Sequence, residues 1–215
     1  MRISSELIAA TGLRLLNDVG LDGLTMRLLA KELGVQAPTL YWHVKNKQQV
    51  VDAMADLISA EVAAGLEAPA RGTSWQEWTA ALARKMRQTM LRYRDGARVA
   101  AGAYSSNPAV GRTIELTLRT LGDAGFPTAD AARSFPTILH YTVGFTIEEQ
   151  ARTGLAYDGE NPYAQRGLVV DSERFPLAAS VTEVLFGVDS DADFEYGLGI
   201  ILTGMRVEVL GPGGG

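Results

Sequence analysis

The sequence predicts an all-α protein: a small N-terminal head of three helices on a larger helical body. Two observations carry that prediction. Apolar residues recur at three- and four-residue spacing in segment after segment, the period of a helix with one buried face. Ser, Thr or Asn stands ahead of several of those segments, where a helix start needs an acceptor for its unpaired amides. The composition suits a packed core, with 47% of the 215 residues apolar and 21% charged, which is globular rather than disordered.

In chain order, Ile3, Leu7, Thr11, Leu15 and Val19 repeat every four residues, with Ile8 and Leu16 beside them. They predict a first helix of about four turns that Gly20 stops. Thr25 caps a second helix whose apolar side is Leu28, Leu29 and Leu33, and Gly34 follows where a left-handed C-terminal residue is needed. Val35 fills the corner, and Pro38 suits the first turn of a third helix carrying Thr39 to Val44. Two short helices joined by a turn with Gly form the helix-turn-helix pattern, whose second helix enters the DNA major groove. Leu40 and Val44 face a core, so Thr39, Tyr41, Trp42 and His43 cannot all share their side. Two readings of these groups compete: aromatics packed in the core, or donors and apolar faces for phosphates, sugars and thymine methyls. Lys45 and Lys47 follow as candidates to neutralise phosphates.

Asn46, with Gln49 three residues on, has the capping-box pattern for a fourth helix with a Val50, Met54, Leu57, Ile58, Val62 stripe. This helix leads out of the head, and a turn-rich run over residues 64–73 ends it. Ser74 and Glu77 make a second capping box, ahead of a Trp75, Trp78, Leu82, Met86, Met90, Tyr93 stripe that suits a core or the wall of an adaptable pocket. A short helix over 97–103 is expected next, then one opened by Asn107-Pro108, then a long one over 128–152 with a kink or break at Pro136. Residues 154–175 are rich in Gly, Pro, Asp and Asn and predict a long functional or mobile loop. A short helix over 177–186 is followed by a last one along Phe194, Leu198, Ile201, Leu202, Met205 and Val209. Three glycines in that last helix, Gly197, Gly199 and Gly204, each cost about 1 kcal/mol relative to Ala, so a closely approaching neighbour is expected. The acidic run 189–195 fails as a calcium loop, since Phe194 stands where Gly and Ile200 where Glu would be required. It reads instead as acidic residues at a helix N-terminus.

Several function classes are excluded or made remote. No apolar run reaches membrane-span length, and no leader with a cleavage site is visible, so the cytoplasm is expected. Cysteine is absent, which removes disulfides and thiolate metal sites. With only His43 and His140, no nucleophile elbow, no P-loop and no dinucleotide fingerprint, the chain is not expected to be an enzyme. The competing classes are a helical enzyme and a protein-interaction module without a DNA role. Residues 1–50 carry six basic and four acidic side chains against a net charge of -5 for the whole, which fits a DNA-reading head on an acidic body.

The stretch PTLYWHVKNK, preceded by LTMRLLAKELGVQ, resembles the DNA-binding segment of the tetracycline-repressor (TetR) family. It is most similar to the branch containing the tetracycline repressor itself, in which LYWHVKNK recurs. Weaker similarity continues through residues 91–97 and 148–150. The resemblance implies a homodimer on a palindromic operator, probed from an all-helical body by a small-molecule effector, with repression the family default. The domains expected are 1–46 for DNA binding, 47–210 for effector binding and dimerisation, and 211–215 as a flexible tail. The helices over 128–152 and 194–210 are expected to form the dimer's four-helix contact.

By the same resemblance, Arg27, Ala37, Pro38 and Tyr41 lie at base-facing positions, and Thr39, Trp42, His43 and Lys47 at phosphate-facing ones. Ala37 replaces a Gln and Met26 a Thr, so the operator read should differ from the tetracycline operator. The metal-binding His of the branch aligns with Ala100, and two other drug-contacting polar residues fall at about Ala63 and Leu82; only the carboxylate near Glu148 is retained. A magnesium-tetracycline chelate would lose its anchor. No cofactor or metal is expected. The expected pocket lining is Trp78, Leu82, Met86, Ala100, Tyr104, Leu139, His140, Phe145 and Glu148, suited to a larger apolar or aromatic effector. His140 reads equally as a structural histidine.

Overall fold

The computed structural model describes residues 3–105, 107–153, 170–182, 184 and 189–211. Among them every regular element is helical. In chain order these are α1 Ser5–Gly23, α2 Met26–Glu32, α3 Ala37–Tyr41, α4 Lys47–Ala63, α5 Trp75–Leu91, α6 Gly96–Ala101, α7 Pro108–Asp123, α8 Thr128–Arg152, α9 Pro176–Ser180 and α10 Ser190–Met205, which runs on into a π-helical turn, Arg206–Leu210.

The helix starts follow the caps. The hydroxyl oxygens of Ser4 and Thr25 accept the amides of Leu7 and Leu28. The Ser74–Glu77 capping box is complete. At α4 the box is rearranged: Asn46 accepts from the Gln49 amide, while the Gln49 side chain reaches back to the Lys45 amide rather than to that of Asn46. Gly34, at φ +67°, lets the Val35 amide return to the Ala30 carbonyl and that of Gly34 to the Lys31 carbonyl. That closes α2 in a Schellman turn. Gly20, at φ +66°, kinks α1, and one more turn follows before the helix ends.

Two cores hold the molecule. In the head, Ile8, Leu16, Leu24, Leu29, Leu40, Val50 and Met54 are fully buried, so α4 contributes its first half to the core of α1–α3. The same cluster extends along Ile58 and Val62 to Trp78, Leu82, Met86 and Met90 of α5. The second core joins α5, α7, α8 and α10 through Trp75, Leu121, Phe126, Ile138, Phe194 and Leu198. Within it Tyr141 stacks on Phe194, Phe145 meets the Phe194 ring edge-on, and Trp75 meets Phe126 at 4.8 Å.

The sequence did not point to Arg87, which sits in the apolar stripe of α5 and is buried. Both Glu149 carboxylate oxygens accept from it, at 2.6 and 2.7 Å, Asp191 accepts a third bond, and its guanidinium lies 5.0 Å from the Phe194 ring centre. The Glu149 and Asp191 bonds hold its pKa above the ordinary arginine value against the opposing effect of burial. The fork shape of Arg permits this double engagement.

Pro136 lies inside α8, which runs unbroken from Thr128 to Arg152, so no break falls there. One expectation is corrected. The third helix ends at Tyr41, leaving Trp42 and His43 in the turn that follows, although the Val44 amide still bonds the Leu40 carbonyl. Of the short helix expected over 177–186, α9 supplies Pro176–Ser180, and residues 183, 185 and 186 lie outside the described ones. The loop expected over 154–175 lies outside the described residues up to 169. Gly197 meets its expected neighbour: a Cβ there would fall 2.3 Å from the Tyr141 hydroxyl oxygen.

Candidate DNA interface and effector cavity

The competition over the aromatics near Tyr41 is resolved by burial. Leu40 and Val44 are buried, whereas Tyr41 is 51% and Trp42 88% exposed. Arg27, Pro38 and His43 are exposed, with Ala37 and Thr39 partly so. A head that folds on Leu29, Leu40 and Val50 therefore turns a phenol, an indole, an imidazole and a guanidinium outward from one short helix and its neighbour. Lys47 is half-buried. Its ammonium donates to the Leu21 carbonyl at 2.6 Å, bracing the end of α1, where carbonyls lack helical partners and a cation is favoured.

The body contains a cavity of about 460 Å³. Ala55, Ile58, Ser59 and Val62 of α4 form one wall, Met86 and Met90 of α5 another, and Phe135, Leu139, His140, Val143 and Gly144 of α8 a third. Ala100 and Ala101 end α6 against it, and Ala103, Ser105, Val110 and Thr113 complete the lining among the described residues. Four expected lining residues are thus brought together: Met86, Ala100, Leu139 and His140. Five are not. Trp78 is buried with its indole N–H on the Glu67 carbonyl at 2.8 Å, anchoring the loop after α4. Leu82 is packed in the core. Tyr104 is 80% exposed, its amide held by Asp52. Phe145 turns to Phe194 and Arg87, one helical position from Gly144. Glu148 is exposed one turn beyond Gly144. The missed contributors on α4 were visible as its apolar stripe, Ile58 and Val62. Nothing in the sequence placed the far end of that stripe against α8.

The cavity and the head share structure. α4 carries Val50 and Met54 in the head core and Ile58 and Val62 on the cavity wall. α6 borders the cavity with Ala100, while Arg98 holds Asp22 at 3.1 Å and Asp95 accepts the Leu21 amide at 2.7 Å. The Arg98 hydrogen bond and charge keep the Asp22 carboxyl below its ordinary pKa. Asp95 stands at φ +101° at the start of α6, a conformation few side chains adopt. The Arg94 amide bonds the Asn17 side chain at 2.8 Å.

Comparison with known proteins agrees with both parts. Residues 8–54 match the family model described as bacterial regulatory proteins, tetR family, and residues 68–209 that of the tetracyclin repressor-like C-terminal domain. The chain belongs to the TetR family. It is 38% identical to the class A tetracycline repressor protein from transposon 1721 of Escherichia coli, over 95% of this chain and 91% of that one. A possible TetR family transcriptional regulator from Streptomyces coelicolor A3(2) superposes with a TM-score of 0.85 at 38% identity, covering 95% of this chain and all of the other. The S. coelicolor TetR family protein ActR, solved in complex with (S)-DNPA, superposes at 0.82 with 27% identity over 97% of this chain and all of that chain. The TetR family comprises ligand-responsive transcriptional regulators, and this chain has the helix-turn-helix head and the helical ligand-binding body of one. Among the described residues, no helix is long and apolar enough to cross a membrane.

Proposed function

We propose that the protein is a homodimeric repressor that reads a palindromic operator with its α2–α3 face and leaves it when a small molecule other than magnesium-tetracycline fills the body cavity. The observation that carries this is the outward projection of Tyr41 and Trp42 from a head whose fourth helix also walls the cavity. Arg27, Ala37, Pro38 and Tyr41 take the base-facing roles and Thr39, Trp42, His43 and Lys47 the phosphate-facing ones. The functional division falls near residue 46, with the first half of α4 lending its apolar face to the head.

A single short helix reads few base pairs, so two copies are required, with half-sites about 34 Å apart. α10 supplies a pairing face with α8. Tyr196 and Ile200 are exposed there, and Gly199 and Gly204 have open space where a Cβ would sit. Ala100 presents only a methyl group where the tetracycline branch has its metal-binding His, which supports exclusion of the chelate.

An occupant of the cavity touches α4 and α6, the two elements that grip the head. It acts only through its different affinity for the operator-bound and released arrangements. The test is operator affinity with and without a small molecule found by thermal-shift screening. A fall in affinity at saturation is expected; an unchanged affinity removes the switch.

A further inference from the structure

The helix α10 has two unlike sides. Phe194, Leu198, Leu202 and Met205 are buried in the core shared with α5 and α8. On the opposite side Tyr196, Gly199, Ile200, Thr203, Gly204 and Val207 make an exposed stripe without a charge. The buried stripe repeats every four residues over Phe194, Leu198 and Leu202. A slide of one turn, about 5.4 Å, therefore returns apolar groups to apolar places. Apolar burial is non-directional and does not by itself choose between the two registers.

Polar ties make the choice. Arg84 and Arg87 stand one turn apart on α5, and Glu195 and Asp191 one turn apart on α10, running the other way. Arg84 donates to both Glu195 oxygens at 2.6 and 2.7 Å, and Arg87 donates to Asp191 at 2.7 Å. Arg87 also holds both oxygens of Glu149 on α8, so one guanidinium reaches both helices of the pairing face. With α10 displaced by one turn, Glu195 would meet Arg87 but Arg84 would meet Gly199, and one rung of this ladder would be lost. Tyr141 adds a notch from α8: its hydroxyl donates to the Phe194 carbonyl at 2.9 Å and occupies the space that a side chain at Gly197 would need.

From this we infer that Arg84 and Arg87 are positioning residues for subunit pairing: their ladder to Glu195, Asp191 and Glu149 fixes the register of α10 and so presents its exposed stripe to a second copy of the chain. This rests on the reading of α8 and α10 as the pairing face, and goes further in naming what holds that face in place. The Arg84 and Glu195 side chains are nearly half exposed, so their pair adds little to stability. Register is the best-attested use of such ionic groups.

Sedimentation equilibrium of the full-length protein, set beside circular dichroism and thermal melting, separates pairing from folding. Arg84→Glu sets two carboxylates against each other. A dimer carries two ladders, so a loss of about threefold per subunit should weaken dimerisation about tenfold, with helix content unchanged. Exchanging the charges, Arg84→Glu with Glu195→Arg, should bring dimer affinity back to within about threefold of wild type. Arg87→Met with Glu149→Leu replaces the buried pair by apolar groups, a change that often preserves or raises stability. That protein should keep its helix content and a cooperative melt, yet dimerise at least about tenfold more weakly. A purely structural role gives another pattern, in which dimer affinity falls only where helix content or melting falls. Wild-type dimer affinity in both Arg84→Glu and the Met–Leu protein overturns the inference, and so does a folded charge exchange that fails to restore pairing. Should the Met–Leu protein not fold, Arg84→Glu and its exchange decide alone. A wild type that stays monomeric at every concentration overturns the pairing reading itself.

Discussion

Trp42 and Trp78 show how differently the head and the body use one kind of side chain. Trp42 follows a five-residue helix, is 88% exposed and packs on nothing that stabilises the head. Trp78 lies inside a seventeen-residue helix, is buried, and spends its indole N–H on the Glu67 carbonyl. The head folds around a few aliphatic groups and leaves Tyr41, Trp42, His43 and Arg27 outside, open to a partner. The body buries Trp75, Trp78, Phe126, Phe194 and Arg87, leaves Tyr104 and Tyr196 exposed, and keeps a cavity whose described lining carries no Asp, Glu, Lys or Arg. Polar chemistry in the body is thus mostly structural, while in the head it is free for recognition.

The largest expected effect tests the body half of that contrast. Arg87→Ala strands Glu149 among apolar neighbours, and losing one partner of a buried pair costs about 3–5 kcal/mol. Denaturant unfolding should show the drop. A loss below about 1 kcal/mol would mean that water satisfies Glu149. The head predicts the opposite pattern. Arg27→Ala should weaken operator binding by about 1–3 kcal/mol, and most where a guanine is read. Tyr41→Ala and Trp42→Ala should also weaken it, yet each should leave stability within about 0.5 kcal/mol. Gel-shift titration set beside thermal melting checks both. Destabilisation by Trp42→Ala without loss of DNA binding would reverse the assignment.

Smaller effects sharpen the picture. Thr25→Ala removes the α2 cap and should cost about 1 kcal/mol, with operator binding falling further if α2 frays. The smallest is a matter of pH. Burial, then the hydrogen bond to Glu61, pushes the Tyr93 phenol up to about 12. The folded state favours the neutral phenol, so this contribution is complete below the ordinary tyrosine pKa and is lost as pH rises through about 12. Ultraviolet titration of wild type against Tyr93→Phe should show one late-ionising tyrosine missing from the variant.

The fold was legible because its signals are local. Thr25, Gly34, Asn46 and the Ser74–Glu77 pair act within one turn of themselves, and the stripes of α1, α4 and α5 repeat often enough to name their buried face. The outward aromatics were half legible. Leu40 and Val44 fixed the inward side of α3, but only the packed head shows that nothing covers Tyr41 and Trp42. The cavity was least legible, because its lining is decided by rotation of one helix against another. Gly144 and Phe145 are neighbours in sequence and face different chemistry. Arg87 was hidden for the same reason: its partners Glu149 and Asp191 are 62 and 104 residues away. The bond of Lys47 to the Leu21 carbonyl was not legible either, because a long side chain chooses among acceptors that only the folded end of α1 supplies.

The most direct measurement is selection of duplexes from a random pool by the full-length protein, with a Tyr41→Ala, Trp42→Ala protein alongside. A palindromic motif should be enriched, its half-sites centred about one helical turn apart, and the substituted protein should fail to enrich it while keeping the same helix content and dimeric mass. Enrichment of nothing by the wild type, or of the same motif by both proteins, would contradict recognition through the exposed end of α3.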